Sequence, residues 1–171
     1  MRSIASIAGG LVIAISASCT HLEPASEPSG NSRTLELNDG GAFGDQERFL
    51  LSQSELVAET YRYSKEKASY VLKEQNRIAL DPRQSERLWL AVSQASIETW
   101  QPRYEPSQLG TQIYDGIQWS VELVDGDQVY RSSGDNTYPS RRPMGAPTLK
   151  LTNTYSRLLR TLEAAASERG G

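Results

Sequence analysis

The spacing of hydrophobic residues changes along the chain and divides it into parts with different predicted structures. Residues 4–17 are apolar and uncharged, whereas residues 20–46 are rich in Pro, Ser and Gly and contain few large apolar side chains. Such a composition does not bury enough apolar surface to offset the entropy that is lost on ordering. The pattern therefore predicts an apolar leader over residues 1–18, followed by a flexible tether over residues 19–46.

From Glu47 onward, strand-like and helix-like spacings alternate, which predicts one folded domain over residues 47–171. An earlier domain start, near Thr34, stays open because Leu35 and Leu37 are apolar.

The first part of this domain is predicted to be made of strands. Residues 48–53 form one strand, and residues 57–63 form a second because apolar and polar side chains alternate there. Residues 68–73 continue the pattern and are predicted to pair with residues 76–80. Glu and Lys are frequent between residues 55 and 73, which leaves a helix open as an alternative for that stretch.

Two helices are predicted from capping residues and helical spacing. Asp81 and Pro82 suit a helix start, and Gln84 completes a capping box with Asp81. The buried face that follows is Leu88, Ala91, Val92 and Ala95. The second helix is predicted over residues 152–167, with the inner stripe Leu151, Tyr155, Leu158, Leu159, Leu162 and Ala166.

Between the helices the spacing changes to alternation, which predicts an antiparallel meander. Asp115-Gly116 and Asp125-Gly126-Asp127 are flanked by apolar residues, and Asp-Gly in that setting favours a hairpin. Residues 97–104 are predicted to be a further strand. The core-facing residues of the strand between the turns are Ile117, Trp119, Val121 and Leu123. The predicted fold is a single α+β domain in which an antiparallel sheet packs against two helices.

Residues 132–147 are predicted to form a long polar loop, and loops of this length in compact domains are often functional. Arg141 and Arg142 stand between prolines, and two guanidiniums on such a loop suit carboxylate or phosphate recognition. The residues expected to contact a partner are Asp135, Asn136, Tyr138, Arg141 and Arg142. An alternative stacking platform for glycan consists of Trp100 and Tyr104, together with Trp119.

The apolar leader begins after the cation Arg2 and ends at small residues followed by Cys19. Its uncharged run of about 14 residues suits the h-region of a signal peptide and is shorter than the roughly 20 residues that cross a bilayer. The segment Ile15-Ser16-Ala17-Ser18-Cys19 resembles the bacterial lipobox, where the cysteine thiol receives a diacylglycerol and the chain is cut just before it. It departs from the usual pattern because Ser16 stands in place of Leu. Ordinary signal-peptidase cleavage and a buried N-terminal helix are the alternatives.

The lipobox resemblance implies a signal peptide over residues 1–18 and an acylated Cys19 carrying palmitate-like chains. Two or three acyl chains on one cysteine attach a protein to a membrane far more firmly than one. In bacterial lipoproteins a residue other than Asp after the cysteine implies transfer to the outer membrane, and Thr20 fits that pattern. The expected location is therefore the periplasmic side of the outer membrane, with a soluble periplasmic or secreted protein as the alternative.

The scarcity of cysteine and histidine excludes several kinds of site from the predicted domain. Cys19 and His21 are the only residues of their types, and both precede it. Ser-His-Asp and Cys-His catalytic sites and Cys/His zinc sites are thereby excluded, and neither a cofactor nor a metal is predicted. The net charge of −3 argues against nucleic acid as a partner, because that partner requires a clustered basic face.

The Trp119 strand, its Asp-Gly turns and the corner Gly134-Asp135-Asn136-Thr137-Tyr138-Pro139 resemble domains in uncharacterised bacterial lipoproteins. Small envelope lipoproteins of this build act as inhibitors, as immunity proteins against secreted toxins or as assembly accessories. We therefore expect a non-catalytic module that binds a protein partner in the periplasm, and we predict no catalytic residue. Peptidoglycan or glycan binding is the alternative, followed by a carboxylate-based hydrolase.

Overall fold

The computed structural model describes residues 32–41, 44–113, 116–141, 144–150 and 153–168. Within these ranges the chain forms nine β-strands and two α-helices. The strands are β1 Arg33–Gly41, β2 Gln46–Leu51, β3 Glu55–Ser64, β4 Ser69–Ala79, β5 Arg103–Tyr104, β6 Ile117–Asp125, β7 Gln128–Asp135, β8 Tyr138–Arg141 and β9 Met144–Thr148. The helices are α1 Pro82–Ala95 and α2 Asn153–Ser167. The predicted signal peptide and Cys19 lie outside the described residues.

Seven of these strands form one sheet in the order β4-β3-β2-β1-β6-β7-β5, and β8 pairs with β9 separately. Neighbouring strands of the large sheet run antiparallel, except that β5 lies parallel to β7. The predicted single α+β domain, with an antiparallel sheet and two helices, is therefore confirmed. The sheet is larger than the predicted meander, and the first Asp-Gly turn, at Asp115, lies outside the described residues.

The tether prediction was wrong for its C-terminal part, because Arg33–Gly41 is a central strand of the sheet. β1 pairs with β2 on one side and with β6 on the other. Leu35 and Leu37 are 1% and 0% exposed, so their burial outweighs the polar residues and glycines around them. The folded domain therefore includes the residues from Arg33 to Gly41, in agreement with the earlier start near Thr34 that stayed open, and it does not start at Glu47.

β3 and β4 form a long antiparallel pair, so the helix alternative for residues 55–73 was wrong. The predicted pairing of residues 68–73 with residues 76–80 was also wrong, because both segments belong to the continuous strand β4. Aromatic and β-branched side chains in this stretch favour strands despite the Glu and Lys between them. A bulge at Thr60/Tyr61 shifts the register of the pair.

Both helices lie where the sequence predicts them. At the start of α1, the Asp81 carboxylate accepts a hydrogen bond from the backbone N–H of Gln84 at 2.9 Å, and the Gln84 side chain accepts one from the N–H of Asp81 at 3.0 Å. These two bonds form the capping box. After Ala95, Ser96 takes a left-handed conformation with φ 51° and ends the helix.

Two segments between the helices differ from their predictions. Residues 97–104 were predicted to be a strand, but Ile97–Thr99 is a 3₁₀ turn and only Arg103–Tyr104 pairs with β7. Residues 132–147 were predicted to be a loop, but they contain the end of β7 together with β8 and β9. Gly134, one of the residues in the predicted loop, is a glycine for a packing reason, since a Cβ there would lie 2.4 Å from Nε1 of Trp119.

The core lies between the helices and one face of the sheet. Trp119, Val121 and Leu123 of β6 point into it as predicted, whereas Ile117 is 41% exposed. The side chains that form the core cluster all belong to described residues, from Leu35 in β1 to Ala165 in α2. In that part, neither helix is long and apolar enough to cross a membrane.

Candidate functional site on the open sheet face

The two faces of the seven-stranded sheet differ in what covers them. One face packs against both helices through Leu35, Leu37 and Trp119, among others. Because side chains alternate along a strand, the residues between these point to the opposite face. No described helix or strand packs there, and we call it the open face. Its central residues are Glu36, Asn38, Gly40, Gln46, Arg48, Glu59, Tyr61, Tyr70, Gln75, Gln118 and Ser120.

Arg48 lies at the centre of the open face and connects neighbouring strands. Its guanidinium donates to both carboxylate oxygens of Glu36, with Nε–Oε1 at 3.0 Å and Nη2–Oε2 at 3.2 Å. It also donates from Nη1 to Oε2 of Glu59 at 3.3 Å. Asn38 Nδ2 extends this network, since it lies 3.1 Å from Glu36 Oε1 and 3.2 Å from Oγ of Ser120. Two-pronged pairing of this kind holds the guanidinium in one orientation.

Glu59 is only 8% exposed although it belongs to the open face. Its Oε2 accepts a hydrogen bond from the Tyr61 hydroxyl at 2.8 Å, and its Oε1 accepts one from Gln75 Nε2 at 2.6 Å. The Tyr61 bond is the main cause that lowers the pKa of Glu59, assisted by Gln75 and Arg48. This carboxylate is therefore ionised at neutral pH and suits a fixed, charge-ordered surface better than proton transfer.

Glu36 and Arg48 reinforce each other's charge. The hydrogen bond from Arg48 is the main cause that lowers the pKa of Glu36, and the same bond is the main cause that raises the pKa of Arg48. Both groups are therefore charged across the physiological range, and the network presents a constant pattern of donors and acceptors.

A groove of about 500 Å³ adjoins this network on the open face. Tyr61 and Tyr70 border it on one side and Gln118 on the other. The Tyr70 hydroxyl donates to the carbonyl of Gly41 at 3.0 Å, which fixes the ring. Gly40 lies directly opposite Gln46, and a Cβ on Gly40 would lie 2.6 Å from Cγ of Gln46, so this position has no room for a side chain. The volume falls in the range that ligand sites occupy, roughly 300–1,000 Å³.

The structure does not bring the predicted partner-binding residues together in one site. Asp135 and Asn136 lie at the end of β7, where Asn136 has φ 48°. Asn136 Oδ1 accepts from the N–H of Ile117 at 3.1 Å, and its Nδ2 donates to Asp135 Oδ1 at 2.8 Å, so both residues shape the turn. Tyr138 is 5% exposed and belongs to the core. Arg141 is exposed on the helix side of the domain, and Arg142 lies outside the described residues.

The aromatic platform suggested for glycan is buried. Trp100 and Tyr104 are 8% and 0% exposed, and Trp119 is 3% exposed. Trp100 Nε1 donates to the carbonyl of Ala95 at 3.0 Å, and the Tyr104 hydroxyl donates to the carbonyl of Gly145 at 2.8 Å. In this conformation none of the three offers a ring face to a sugar, so they stabilise the core.

The described part of the chain contains no group of three or more His, Cys, Asp and Glu side chains placed to hold a metal ion. Comparison with known proteins gives no matching family model and no matching curated protein for this chain. The function is therefore inferred from the residues of the site, because a fold alone does not determine a function.

Sequence reasoning missed the Arg48 network. The sequence contained only a partial signal, because Glu36 lies between the buried Leu35 and Leu37 and Arg48 precedes the buried Phe49, whereas Glu59 is flanked by the half-buried Ala58 and Thr60. Bringing them together requires the register of three strands, and Glu36 belonged to a segment that was predicted to be tether.

Proposed function

We propose that this chain is a lipid-anchored envelope protein that binds a protein partner on the periplasmic side of the outer membrane and catalyses no reaction. The observation that carries the proposal is the open face, where the Arg48 network lies beside a groove of about 500 Å³. Inhibitors, toxin-immunity proteins and assembly accessories are the kinds of protein that work through such a surface.

The side chains on the open face support a protein partner. Arg and Tyr are enriched among residues that dominate binding energy in protein interfaces. Arg48 and Tyr61 are already fixed by hydrogen bonds, so they lose little conformational freedom when a partner binds. Tyr63 and Leu72, which are 40% and 50% exposed, add apolar area beside the groove.

The outer strand β4 is poorly suited to pairing with a strand of a partner, which favours contact through the open face instead. β4 is the outer strand next to β3. It carries Lys73 and Arg77, which pair with Asp45 and Glu55 at 3.4 and 3.3 Å, and it opposes the bulge at Thr60/Tyr61. Charged side chains and bulges oppose pairing with a further strand. A partner is therefore expected to lie across the open face.

The anchor rests on the lipobox-like segment that ends at Cys19. Mass spectrometry of protein purified from bacterial membranes tests this part. We expect a mature chain that starts at Cys19 and carries the added mass of a diacylglycerol, with or without a third chain. An unmodified thiol, or a start at another residue, would refute the anchor and leave the binding surface to be judged separately.

Photo-crosslinking in cells tests the binding surface. A photoreactive phenylalanine analogue at Tyr63 or Leu72 should capture one defined envelope protein, whereas the same analogue at Leu109 in the 3₁₀ turn Pro106–Leu109, away from the groove, should not. Leu109 is a matched control because it is 41% exposed, similar to Tyr63. Equal capture at Leu109 would count against the open face.

The captured protein can then be titrated with two matched variants. Gln118→Trp places a large side chain at the border of the groove, and Val129→Trp places the same side chain on the open face outside it. Gln118→Trp should weaken binding at least about tenfold, because the groove is filled. Val129→Trp should change it by less than about threefold. Unchanged affinity for Gln118→Trp would refute the groove as the contact.

Glycan binding remains the second candidate, now at a different place from the one the sequence suggested. The groove combines Tyr61 and Tyr70 with polar side chains, a combination that also suits sugars. Retention on purified peptidoglycan that is lost in Gln118→Trp and kept in Val129→Trp would favour glycan over protein. Trp100→Ala is unsuitable for this test because Trp100 is part of the core.

A further inference from the structure

The helix side of the domain carries arginines around two neighbouring clefts. One cleft, of about 530 Å³, lies along α2 and is bordered by Arg87, Arg157 and Arg160. The other, of about 330 Å³, lies between the helices and β8 and is bordered by Arg141 and Arg157. Arg157 belongs to both, so the two clefts form one continuous surface, which we call the arginine surface.

Most of this positive charge is unpaired within the described part of the chain. Arg87 forms an ion pair with Glu168 at 3.2 Å. Arg141, Arg157 and Arg160 form no ion pair with a described residue. The whole chain has a net charge of −3, so this surface departs from the average of the molecule. Its chemistry suits anions that accept hydrogen bonds from guanidinium, and phosphate is the strongest example.

Exposed apolar side chains lie next to these arginines. Leu90 is 55% exposed and stands one helical turn from Arg87 on α1. Met144 is 51% exposed and pairs with Arg141 across β8 and β9. Cations combined with exposed apolar residues are typical of proteins that lie against a membrane interface, where the apolar groups enter the headgroup layer. A small phosphate compound would not make use of these apolar groups.

The chain enters the domain on the same side. Arg33, the first residue of β1, lies with its guanidinium carbon 4.7 Å from the centre of the Trp89 ring on α1, and its Nη2 lies 3.5 Å from Oγ of Ser93. Between Cys19 and Arg33 the chain spans at most about 50 Å even when fully extended. An anchor at Cys19 would therefore keep the domain within about 50 Å of the membrane, which raises the effective concentration of the arginine surface there.

We infer that the arginine surface docks onto anionic phospholipid headgroups of the membrane and so turns the open face away from it. This inference deepens the proposed function and rests on it only for the anchor. Guanidiniums bind the phosphate groups, and Leu90 and Met144 enter the interface between headgroups. The open face on the opposite side of the sheet is then presented to the partner.

A vesicle-binding experiment without the anchor tests the docking. The chain from Thr20 to Gly171 lacks both the apolar leader and Cys19 and retains every residue of the clustered core. It is floated with phosphatidylcholine vesicles that contain increasing fractions of phosphatidylglycerol. Binding should rise with the anionic fraction and fall when salt is raised from about 50 to about 500 mM.

Paired charge reversals show where the contact lies. Arg157→Glu with Arg160→Glu should lower the partition coefficient at least about tenfold. Lys65→Glu with Lys67→Glu changes the net charge equally at exposed positions between β3 and β4, and it should change partitioning by less than about twofold. Circular dichroism confirms that both variants are folded, and all four positions are exposed.

Several results would overturn the inference. These are equal binding to neutral vesicles, equal loss in both charge-reversal pairs, and no binding at low salt. Saturation of the same residues by inorganic phosphate at about 10 mM, followed by nuclear magnetic resonance, would instead indicate a site for a small anion. The Thr20–Gly171 chain lacks Cys19 and carries no lipid. A failure of this chain to bind vesicles would therefore leave the question of lipid on Cys19 to mass spectrometry.

Discussion

The hydroxyl of Tyr155 on α2 donates a 2.6 Å hydrogen bond to Oδ2 of Asp39 on β1. Asp39 is the one acidic residue of β1 that points to the helix side, next to the aromatic cluster of Trp119, Tyr138 and Tyr155. Burial is the main cause that raises its pKa, and the bond from Tyr155 opposes that rise. Burial likewise raises the pKa of Tyr155. The tyrosine hydroxyl therefore remains protonated and holds α2 to the centre of the sheet.

Removing this hydroxyl should destabilise the domain. Tyr155→Phe keeps the ring but leaves Oδ2 of Asp39 without its donor, which should lower the free energy of unfolding by about 1–3 kcal/mol in urea titrations. Tyr130→Phe is the control, because the Tyr130 hydroxyl makes no hydrogen bond with a described residue; it should cost less than about 0.5 kcal/mol. Equal costs for the two variants would show that the bond to Asp39 contributes nothing.

Asp39→Asn should stabilise the domain at neutral pH. Asp39 has a folded-state pKa above its unfolded value because of burial, so its charged form disfavours folding. The wild-type chain should therefore lose stability relative to Asp39→Asn as the pH rises through the folded-state pKa, and the two should converge below the unfolded pKa of about 3.9.

Urea unfolding between pH 3 and pH 7 measures this difference. Glu47, opposite Asp39, also has a pKa raised by burial and then by Glu163 and Asp39, so its titration contributes in the same direction. The exposed Asp127→Asn variant supplies the baseline and should follow the wild type. A wild-type chain that is more stable than Asp39→Asn at pH 7 would contradict the prediction.

For Glu59 we expect the opposite pH dependence of folding stability. Its folded-state pKa lies below the unfolded value because of the bonds from Tyr61, Gln75 and Arg48. Its stabilising contribution is therefore present above the unfolded pKa and is lost as the pH falls through the folded-state pKa. Glu59→Gln should cost about 1–3 kcal/mol at pH 7 and much less at pH 3.

Glu122→Gln is the matched control for Glu59→Gln. Glu122 pairs with Arg131 on the same sheet, but both side chains are exposed, and exposed ion pairs contribute at most about 1 kcal/mol. If the two variants have the same pH profile in thermal unfolding, the network around Arg48 does not stabilise the folded state.

Gly134 should not tolerate a side chain. A Cβ at this position would lie 2.4 Å from both Nε1 of Trp119 and the carbonyl oxygen of Thr137, which are hydrogen-bonded to each other at 2.9 Å. Gly134→Ala should therefore destabilise the domain by about 1–3 kcal/mol in thermal unfolding. Gly44→Ala has no heavy atom within 4 Å and should be nearly neutral. A stable Gly134→Ala protein would require Trp119 to pack in another way.

Elements with local sequence signals were predictable, and elements held by distant partners were not. α1 is marked by its own capping residues Asp81 and Gln84, and α2 by apolar residues at helical spacing. β1 has only Leu35 and Leu37 as local evidence, and its identity as a strand depends on pairing with β6 much later in the chain. Composition alone could not reveal that pairing.

The candidate site was hard to predict for the same reason. Arg141 and Tyr138 stand close together in sequence, but one is exposed on the helix side and the other is buried among aromatic rings. The alternative glycan platform at Trp100 and Tyr104 depended on a predicted strand over residues 97–104, which would place both rings on one side. The 3₁₀ turn at Ile97–Thr99 changes their direction and turns both rings inward.

The central position of β1 also determines the order in which the domain can assemble. β1 is made early, yet Leu37 pairs with Val121, and one side of β1 stays unpaired until β6 has been made. Such non-local pairing slows folding, because a long loop must close before its contacts stabilise it. During synthesis, which starts at the N-terminus, the sheet therefore cannot be completed until β6 has been made.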